Sequence, residues 1–289
     1  MIAPVPRAIG MAIFLCGALP LAAQPGTARL VAIGSASAEI VCAVGRCEEL
    51  VAITRGVRVP PAATPRATLG ASRGITAEPI VAMRPTIVLA DSGMPVATIA
   101  QLRGAGIRVE VGGANTWADA MATTRRFSAL LGRSRAGDSL VAANEAIRIA
   151  VARRIDGRAA PRVLFVYARG SGTLFVAGAE TGPAELIRLA GGRNALSDIT
   201  GYKPLTAEAV IAAAPDVLLF TTTGLESIGG ARGVATLAGL GATPAARQQR
   251  VATLDDDLLL AFGPRVGSAV RALAAQLHPA MTPSVGASR

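Results

Sequence analysis

Two segments of the chain repeat one pattern of polar and apolar positions. Residues 76–89 read TAEPIVAMRPTIVL, and residues 206–219 read TAEAVIAAAPDVLL. Each has a threonine suited to cap a helix, a glutamate in the first turn, about two turns of apolar helix, a proline that stops it, and a run typical of a buried strand. Residues 96–102 and 234–240 form a second, shorter sequence repeat, which we call the second sequence echo. The offsets of 130 and 138 residues indicate a duplicated plan with small insertions.

Each half also opens with an apolar run that predicts a buried strand, at residues 30–33 and 163–167. Strands that alternate with helices of about ten residues predict the α/β class, with a parallel sheet in each half. Residues 137–155 contain few helix breakers and predict a helix roughly 30 Å long. The predicted fold is therefore two similar lobes with parallel-sheet cores, joined by one long linking helix, with a ligand cleft between the lobes.

The domain boundaries follow from this plan. Residues 25–136 are predicted to form the N-terminal lobe, residues 137–157 the linking helix, and residues 158–289 the C-terminal lobe. Residues 1–24 read as a secretory signal, since Arg7 precedes a short apolar run that ends at Pro20. The run is too short to span a bilayer, so we expect export, cleavage of the signal and a periplasmic protein. Cys16 lacks the small residues that precede a lipid-attachment cysteine.

Composition supports a folded, exported chain. Of its 289 residues 51% are hydrophobic and 17% charged, enough apolar side chain to offset the entropy of ordering the backbone. Cys42 and Cys47 would meet an oxidising compartment in which a disulfide persists. Along a continuous helix, however, side chains five residues apart point in different directions. A local disulfide and two separate thiols both remain open.

The formal net charge of +10 invites a nucleic-acid interpretation, which the sequence argues against. Lys203 is the one lysine of the chain, no run of basic residues occurs, and aromatic residues make up 3%. Stacking platforms and basic stripes are both missing. A basic surface does suit an anionic small ligand or anionic membrane headgroups.

Motifs for enzymatic chemistry are weak. The turn at Gly34 follows a strand but lacks phosphate-loop spacing, and Gly-Ser-Gly at residues 170–172 is not a nucleophile elbow. His278 is the single histidine, which argues against a Ser-His-Asp triad or a multi-histidine metal site. The aspartates at residues 255–257 alternate faces on a strand and would not converge on one cation without help. We therefore predict that the chain is not an enzyme.

Five segments carry a family resemblance: EIVCAVG (39–45), ITAEPIVAMRP (75–85), LAGGRN (189–194), GYKPLTAE (201–208) and FGPR (262–265). They resemble the periplasmic haemin-binding proteins of bacterial haem ABC importers, within a larger group that also binds cobalamin and siderophores. The resemblance runs from about residue 29 to residue 279. It implies a monomer that captures haem by lobe closure and delivers it to an ABC permease with its ATPase, consuming no cofactor.

The resemblance also implies a docking role for the duplicated glutamates. In relatives, one exposed carboxylate at the tip of each lobe docks onto arginines of the permease, and the matching positions are Glu78 and Glu208. Two rigidly spaced anions give a two-point, orientation-specific contact. The alternative is that each glutamate merely offsets its own helix dipole.

One departure concerns the iron ligand. Many haem-binding relatives ligate iron through a tyrosine directly before a proline in the first lobe, and Val59 occupies that position. The remaining candidates for an axial ligand are Tyr202, the first choice, then Tyr167, Met94 and, remotely, His278. Tyr167 could equally be a core aromatic residue.

Haem propionates would suit a basic cleft mouth. The resemblance places four basic residues on cleft loops, namely Arg58, Arg73, Lys203 and Arg265, and a guanidinium pairs well with a carboxylate. Alternative functions are a binder of a corrinoid or iron-siderophore and, from another class, a secreted enzyme or a signalling module that reuses the two-lobed scaffold.

Overall fold

The computed structural model describes residues 28–60, 67–113, 115–172, 174–237 and 239–279. These residues form two α/β lobes joined by a long helix, which confirms the predicted fold class. The predicted signal segment and Cys16 lie outside the described residues. Within the described part of the chain, no helix is long and apolar enough to cross a membrane.

The N-terminal lobe alternates strands and helices from its first strand onward. Its elements are β1 (Leu30–Ile33), α1 (Ser35–Ala43), β2 (Leu50–Thr54), β3 (Ala67–Leu69), α2 (Ala77–Ala82), β4 (Ile87–Ala90), α3 (Val96–Gly104), β5 (Arg108–Val111) and α4 (Trp117–Leu130). Short 3-10 turns occupy Cys47–Glu49 and Ser72–Gly74. The strands form one sheet in the order β3-β2-β1-β4-β5, and every pair is parallel.

Helix α5 (Ser134–Ile155) follows, and the C-terminal lobe comes after it. The elements of that lobe are β6 (Arg162–Ala168), β7 (Leu174–Ala177), α6 (Gly182–Leu189), β8 (Arg193–Asn194), β9 (Tyr202–Pro204), α7 (Ala207–Ala213), β10 (Val217–Thr221), α8 (Thr222–Ser227), α9 (Gly230–Thr236), α10 (Pro244–Arg247), β11 (Val251–Leu254), α11 (Asp256–Leu260) and α12 (Val266–Leu277).

The second sheet corrects one detail of the prediction, because it is only partly parallel. Its order is β11-β10-β6-β7-β9, and β8 pairs with β6 off this path. Strands β11, β10 and β6 are parallel, whereas β7 is antiparallel to both β6 and β9. The connection from β6 to β7 is short, and a parallel pair would need a crossover of about a dozen residues.

The first sequence repeat corresponds to a repeated structure. In each lobe the repeat forms a helix and the following strand, α2 with β4 and α7 with β10, and that strand pairs in parallel with the first strand of its lobe. Both helices end at a left-handed residue before proline, Arg84 with φ 46° and Ala214 with φ 39°. The two units are therefore held in the same way in the two lobes.

The second sequence echo has no matching structure. Val96 begins α3 and is 81% exposed, whereas Val234 lies inside α9 and is buried. The same seven-residue pattern begins a helix in the first lobe, at α3, and covers the end of a helix in the second lobe, at α9. The duplication therefore rests on the first repeat.

Helix α5 packs on α4 of the first lobe and on α12 of the second. It starts three residues earlier than residue 137 and contains 22 residues. Asn144 ties it to the C-terminal lobe: its Nδ2 donates to the carbonyl oxygen of Pro264 at 2.7 Å, and its Oδ1 accepts from the backbone N–H of Gly267 at 2.7 Å.

Replacing Asn144 with alanine is expected to destabilise the fold. The change leaves the buried carbonyl of Pro264 and the buried N–H of Gly267 without these partners, which costs about 2–4 kcal/mol in the free energy of unfolding. Urea unfolding measures the cost. Ser139→Ala on the same helix is the control, since the Ser139 hydroxyl is exposed and bonds only within its own helix. Equal stability of the two variants would contradict this role.

Cys42 and Cys47 form a disulfide, which decides between the two alternatives that the sequence left open. Helix α1 ends at Ala43, and Gly45 at φ 75° turns the chain back. The two cysteines therefore do not lie on one continuous helix.

His278 is buried at the end of α12, and its Nε2 atom has no hydrogen-bond partner among the described residues. Burial lowers the pKa of His278 from its ordinary value of 6.5. Below that value the unfolded chain therefore binds a proton that the folded chain does not. The free energy of unfolding should fall as the pH drops below 6.5 and level off below the folded-state pKa.

This pH effect can be isolated, because the chain has a single histidine. Urea unfolding of tag-free protein at about pH 7.5 and about pH 5.5 should show a smaller difference for His278→Gln than for the wild type. The same difference in both proteins would assign the pH dependence to carboxylates and contradict the burial argument.

Candidate functional site

The carboxyl ends of the parallel strands of both lobes carry the polar loops of the molecule. In the first lobe these loops follow β1, β2, β3 and β4, and in the second they follow β6, β10 and β11. Side chains from the two sets of loops contact each other across the space between the lobes. This space is the cleft expected of such a fold.

An aromatic and basic cluster lies on the second lobe. Tyr167 of β6 and Tyr202 of β9 lie on the same face of the sheet, since Tyr167 pairs with Phe175, Ala177 pairs with Tyr202, and Phe175 and Ala177 are two residues apart on β7. The Arg169 Nε donates to the Tyr167 hydroxyl at 2.8 Å, and its guanidinium lies 5.4 Å from the Tyr167 ring centroid. We call Tyr167, Arg169 and Tyr202 the aromatic cluster.

The environment of the two tyrosines differs. Desolvation between the lobes raises the pKa of the Tyr202 hydroxyl although the residue as a whole is 43% exposed, and the charge of Arg73 of the first lobe lowers that pKa in part. The hydrogen bond to Tyr167 raises the pKa of Arg169, which keeps that guanidinium charged. The Tyr167 oxygen is therefore held in place by a charged hydrogen-bond donor.

Arg73 of the opposite lobe lies near enough to Tyr202 to lower the pKa of its hydroxyl, and the loop that carries Arg73 is anchored. The neighbouring Ser72 hydroxyl donates to Asp91 Oδ1 at 2.6 Å, and the Gly93 N–H donates to the same oxygen at 2.9 Å. Gly34 has φ 91°, and a Cβ there would lie 2.2 Å from Asp91 Oδ2. Glycine at this turn therefore leaves room for the carboxylate that holds the Arg73 loop.

A second cluster links the lobes by ion pairs. The Arg58 Nη2 donates to Asp255 Oδ2 at 2.9 Å, and its Nε donates to Asp257 Oδ2 at 3.1 Å. The Ser35 hydroxyl donates to Asp257 Oδ1 at 2.9 Å. Asp256 instead accepts from the Thr223 backbone and hydroxyl. The three aspartates thus take different partners, and within the described residues no group of three or more acidic, cysteine or histidine side chains is placed to hold a metal ion.

Arg265 and Glu39 form a further pair between the lobes. The Arg265 Nε donates to Glu39 Oε2 at 3.1 Å, and its Nη2 pairs with Oε1. Burial raises the pKa of Glu39, while the hydrogen bond and the charge of Arg265 oppose that rise. Gly263 packs against Ala36 nearby, where an added Cβ would lie 3.1 Å from the Ala36 Cα. These contacts hold the two lobes together on one side of the cleft.

A cavity of about 650 Å³ lies between the lobes beside these ion pairs. This volume is in the range of small-molecule sites. Its lining combines the ion pairs with apolar side chains from both lobes and from α5, among them Val59, Pro60, Leu140, Leu258 and Pro264.

The structure brings some of the sequence-predicted ligand residues together and separates others. Arg58 and Arg265 line the cavity but are already paired with carboxylates. Lys203 is exposed on β9, on the sheet face opposite Tyr202. Met94 is 3% exposed in the core of the first lobe, because the turn after β4 tucks it inward.

The two duplicated glutamates are exposed at equivalent places. Glu78 lies in the first turn of α2 and Glu208 in the first turn of α7. Neither carboxylate takes part in a salt bridge with the described residues. Both are therefore available to an external cation.

Sequence reasoning missed Arg169 and the pairing of Arg58 with the aspartates. Arg169 stands two residues after Tyr167 at a strand end, a spacing that places both side chains on one face. That spacing was a usable signal. The Arg58 pairs join residues 197 and 199 positions apart, and no local pattern predicts them.

Comparison with known proteins identifies the family. Residues 30–258 match the model of the family described as periplasmic binding protein. The chain belongs to the periplasmic binding protein family. Members of this family are binding components of ABC transporters rather than enzymes.

Solved structures of other periplasmic binding proteins resemble the chain closely. The periplasmic haem-binding protein RhuT from Roseiflexus sp. RS-1, in apo form, is 38% identical, with a TM-score of 0.81 over 89% of this chain and 100% of that one. The periplasmic haem-binding protein BhuT in complex with two haems is 38% identical, with a TM-score of 0.78 over 86% of this chain and 99% of that one. A Bacillus subtilis (strain 168) relative, the uncharacterised ABC transporter substrate-binding lipoprotein YvrC, is 24% identical over 87% of this chain and 80% of that protein.

Proposed function

We propose that this periplasmic binding protein captures haem in the cleft between its lobes and delivers it to an ABC permease with its ATPase. The protein is proposed to dock onto the permease through Glu78 and Glu208, one on each lobe. The observation that carries the proposal is the aromatic cluster: two tyrosines and Arg169 on one lobe face Arg73 of the other. The two 38%-identical neighbours that bind haem support the choice of ligand.

Tyr167 is proposed as the iron ligand, and Tyr202 as a ring that stacks on the porphyrin. A tyrosine oxygen is one of the side-chain ligands that hold haem iron in proteins, and the Arg169 hydrogen bond fixes the position of the Tyr167 oxygen. Tyr202, whose pKa is raised by burial, stays a neutral aromatic surface. This order reverses the expectation from sequence, which placed Tyr202 first. Val59 offers no ligand atom, so the iron ligand moves to the second lobe.

A propionate is proposed to meet Arg73, which is exposed and forms no salt bridge within the described residues. Lys203 lies on the sheet face opposite Tyr202 and is therefore not proposed to contact a porphyrin that stacks on that ring. Arg58 and Arg265 are proposed to hold the lobes together through their carboxylate partners. Binding then needs only a small hinge motion about α5, and no bond of the ligand is broken.

The protein is proposed to act as a monomer in the periplasm after its signal is cleaved. The Cys42–Cys47 disulfide supports an oxidising compartment outside the cytoplasm. The extracytoplasmic relatives agree with that location.

Hemin titration tests the ligand. Saturable binding should shift the Soret band and quench the fluorescence of Trp117, the single tryptophan of the chain, which packs against the second lobe. A corrinoid and a ferric siderophore, titrated in parallel, should compete weakly or not at all. Preferred binding of either compound would replace haem as the ligand while leaving the binding function in place.

A further inference from the structure

We infer that the docking face of each lobe includes an aliphatic side chain one helical turn beyond its glutamate, Val81 beside Glu78 and Ile211 beside Glu208. The partner would then present a basic side chain next to an apolar recess, and would do so twice. This inference rests on the proposed delivery to a permease, and it names the chemistry of the surface that the permease must offer.

The first support is exposure. Among the described residues, five large apolar side chains are exposed: Val81 at 39%, Val96 at 81%, Ile149 at 39%, Tyr202 at 43% and Ile211 at 51%. A single exposed aliphatic residue needs no explanation. Val81 and Ile211, however, each lie three residues after a glutamate on a helix, so each shares a surface with that carboxylate.

The second support is duplication. Val81 and Ile211 occupy the same position of the repeated unit, at the same offset that separates Glu78 from Glu208. Helices α2 and α7 are followed by equivalent left-handed turns and equivalent strands, so each glutamate and its aliphatic neighbour are presented in the same way by both lobes. The counterpart of Val96 is the buried Val234, and Val96 is therefore left out.

The charge of the surface points to the partner. Two unpaired carboxylates on a chain of net charge +10 select a partner with cationic side chains at those two places. An apolar residue beside the ion pair that each glutamate would form with the partner excludes water, and the exclusion of water strengthens that ion pair. Anionic lipid headgroups would be repelled by the same carboxylates. Two matched contacts fit a partner made of two like subunits around a two-fold axis.

Binding to the cognate permease–ATPase complex in nanodiscs tests the inference. The double variant Val81→Ser with Ile211→Ser should bind the complex about tenfold more weakly than the wild type, since two partly exposed aliphatic side chains no longer become buried. Ile149→Ser is the matched control, because Ile149 on α5 is as exposed as Val81 and lies outside the repeat. It should bind like the wild type, and all three proteins should keep the same hemin affinity and thermal midpoint.

The binding measurements distinguish failure of the aliphatic contact from failure of docking through the glutamates. If Glu78→Gln with Glu208→Gln loses binding while the aliphatic double variant keeps it, the aliphatic contact is refuted and the docking proposal stands. If the glutamate variant binds like the wild type, the docking proposal itself falls. If the aliphatic variant loses the same affinity for empty nanodiscs of the same lipids, the contact is with the membrane and the inference is overturned.

Discussion

Replacing both cleft tyrosines with phenylalanine is expected to weaken hemin binding by about 100-fold, a loss on the scale of removing key groups around a metal. Phenylalanine keeps the ring but removes the phenol oxygen that would bind iron. Tyr167→Phe alone should account for most of the loss, because the hydrogen bond from Arg169 holds that oxygen in place as the proposed iron ligand. Soret titration of the two single variants and the double variant measures the effect.

Metal-free protoporphyrin IX provides the control for this prediction. Its binding has no iron to ligate, so it should be nearly the same in Tyr167→Phe and the wild type. Tyr202→Phe keeps the stacking ring and should change the affinity for either porphyrin only slightly. A double variant that binds hemin like the wild type would exclude both tyrosines as iron ligands.

Removing the duplicated glutamates is expected to abolish haem uptake while hemin affinity is unchanged. In Glu78→Ala with Glu208→Ala, both anchoring charges of the two-point contact are lost, and the ligand site is untouched. Uptake into proteoliposomes that contain the cognate permease and its ATPase measures the effect. Each single variant should keep part of the activity, since one anchor remains.

Glu48→Ala with Glu226→Ala is the matched control for net charge. These two exposed glutamates lie one in each lobe, outside the repeated unit, so their removal changes the charge by the same amount. Uptake should stay at the wild-type level. Equal loss in the two double variants would show a general charge effect and contradict specific docking.

The sequence was sufficient for most of the architecture, although not for the antiparallel strand β7, because most of the elements follow from local patterns. The repeated helix and strand, the opening strands and the long linking helix are each encoded by capping residues and apolar periodicity. The left-handed residues Arg84 and Ala214, each directly before the proline of its repeat, were not predictable from that pattern, because a residue before proline favours extended backbone.

The disulfide, the burial of Met94 and the contacts between the lobes depend on tertiary structure that no local sequence pattern predicts. The disulfide forms because α1 ends before Gly45, and the continuous helix considered from the sequence would have kept Cys42 and Cys47 apart. Met94 follows a strand like a cleft residue, yet its turn directs it into the core. The Ser35–Asp257 contact spans 222 residues of sequence. Contacts such as Ser35–Asp257 form only when the two lobes pack against each other.

Binding of haem between the lobes can be checked in a crystal structure with bound hemin, in which the iron is located by anomalous scattering. One iron peak is expected between the lobes, bound to the Tyr167 hydroxyl oxygen, with the porphyrin against Tyr202 and a propionate near Arg73. Capture of haem in the cleft would be ruled out by an iron peak on the outer surface of either lobe with no porphyrin between the lobes.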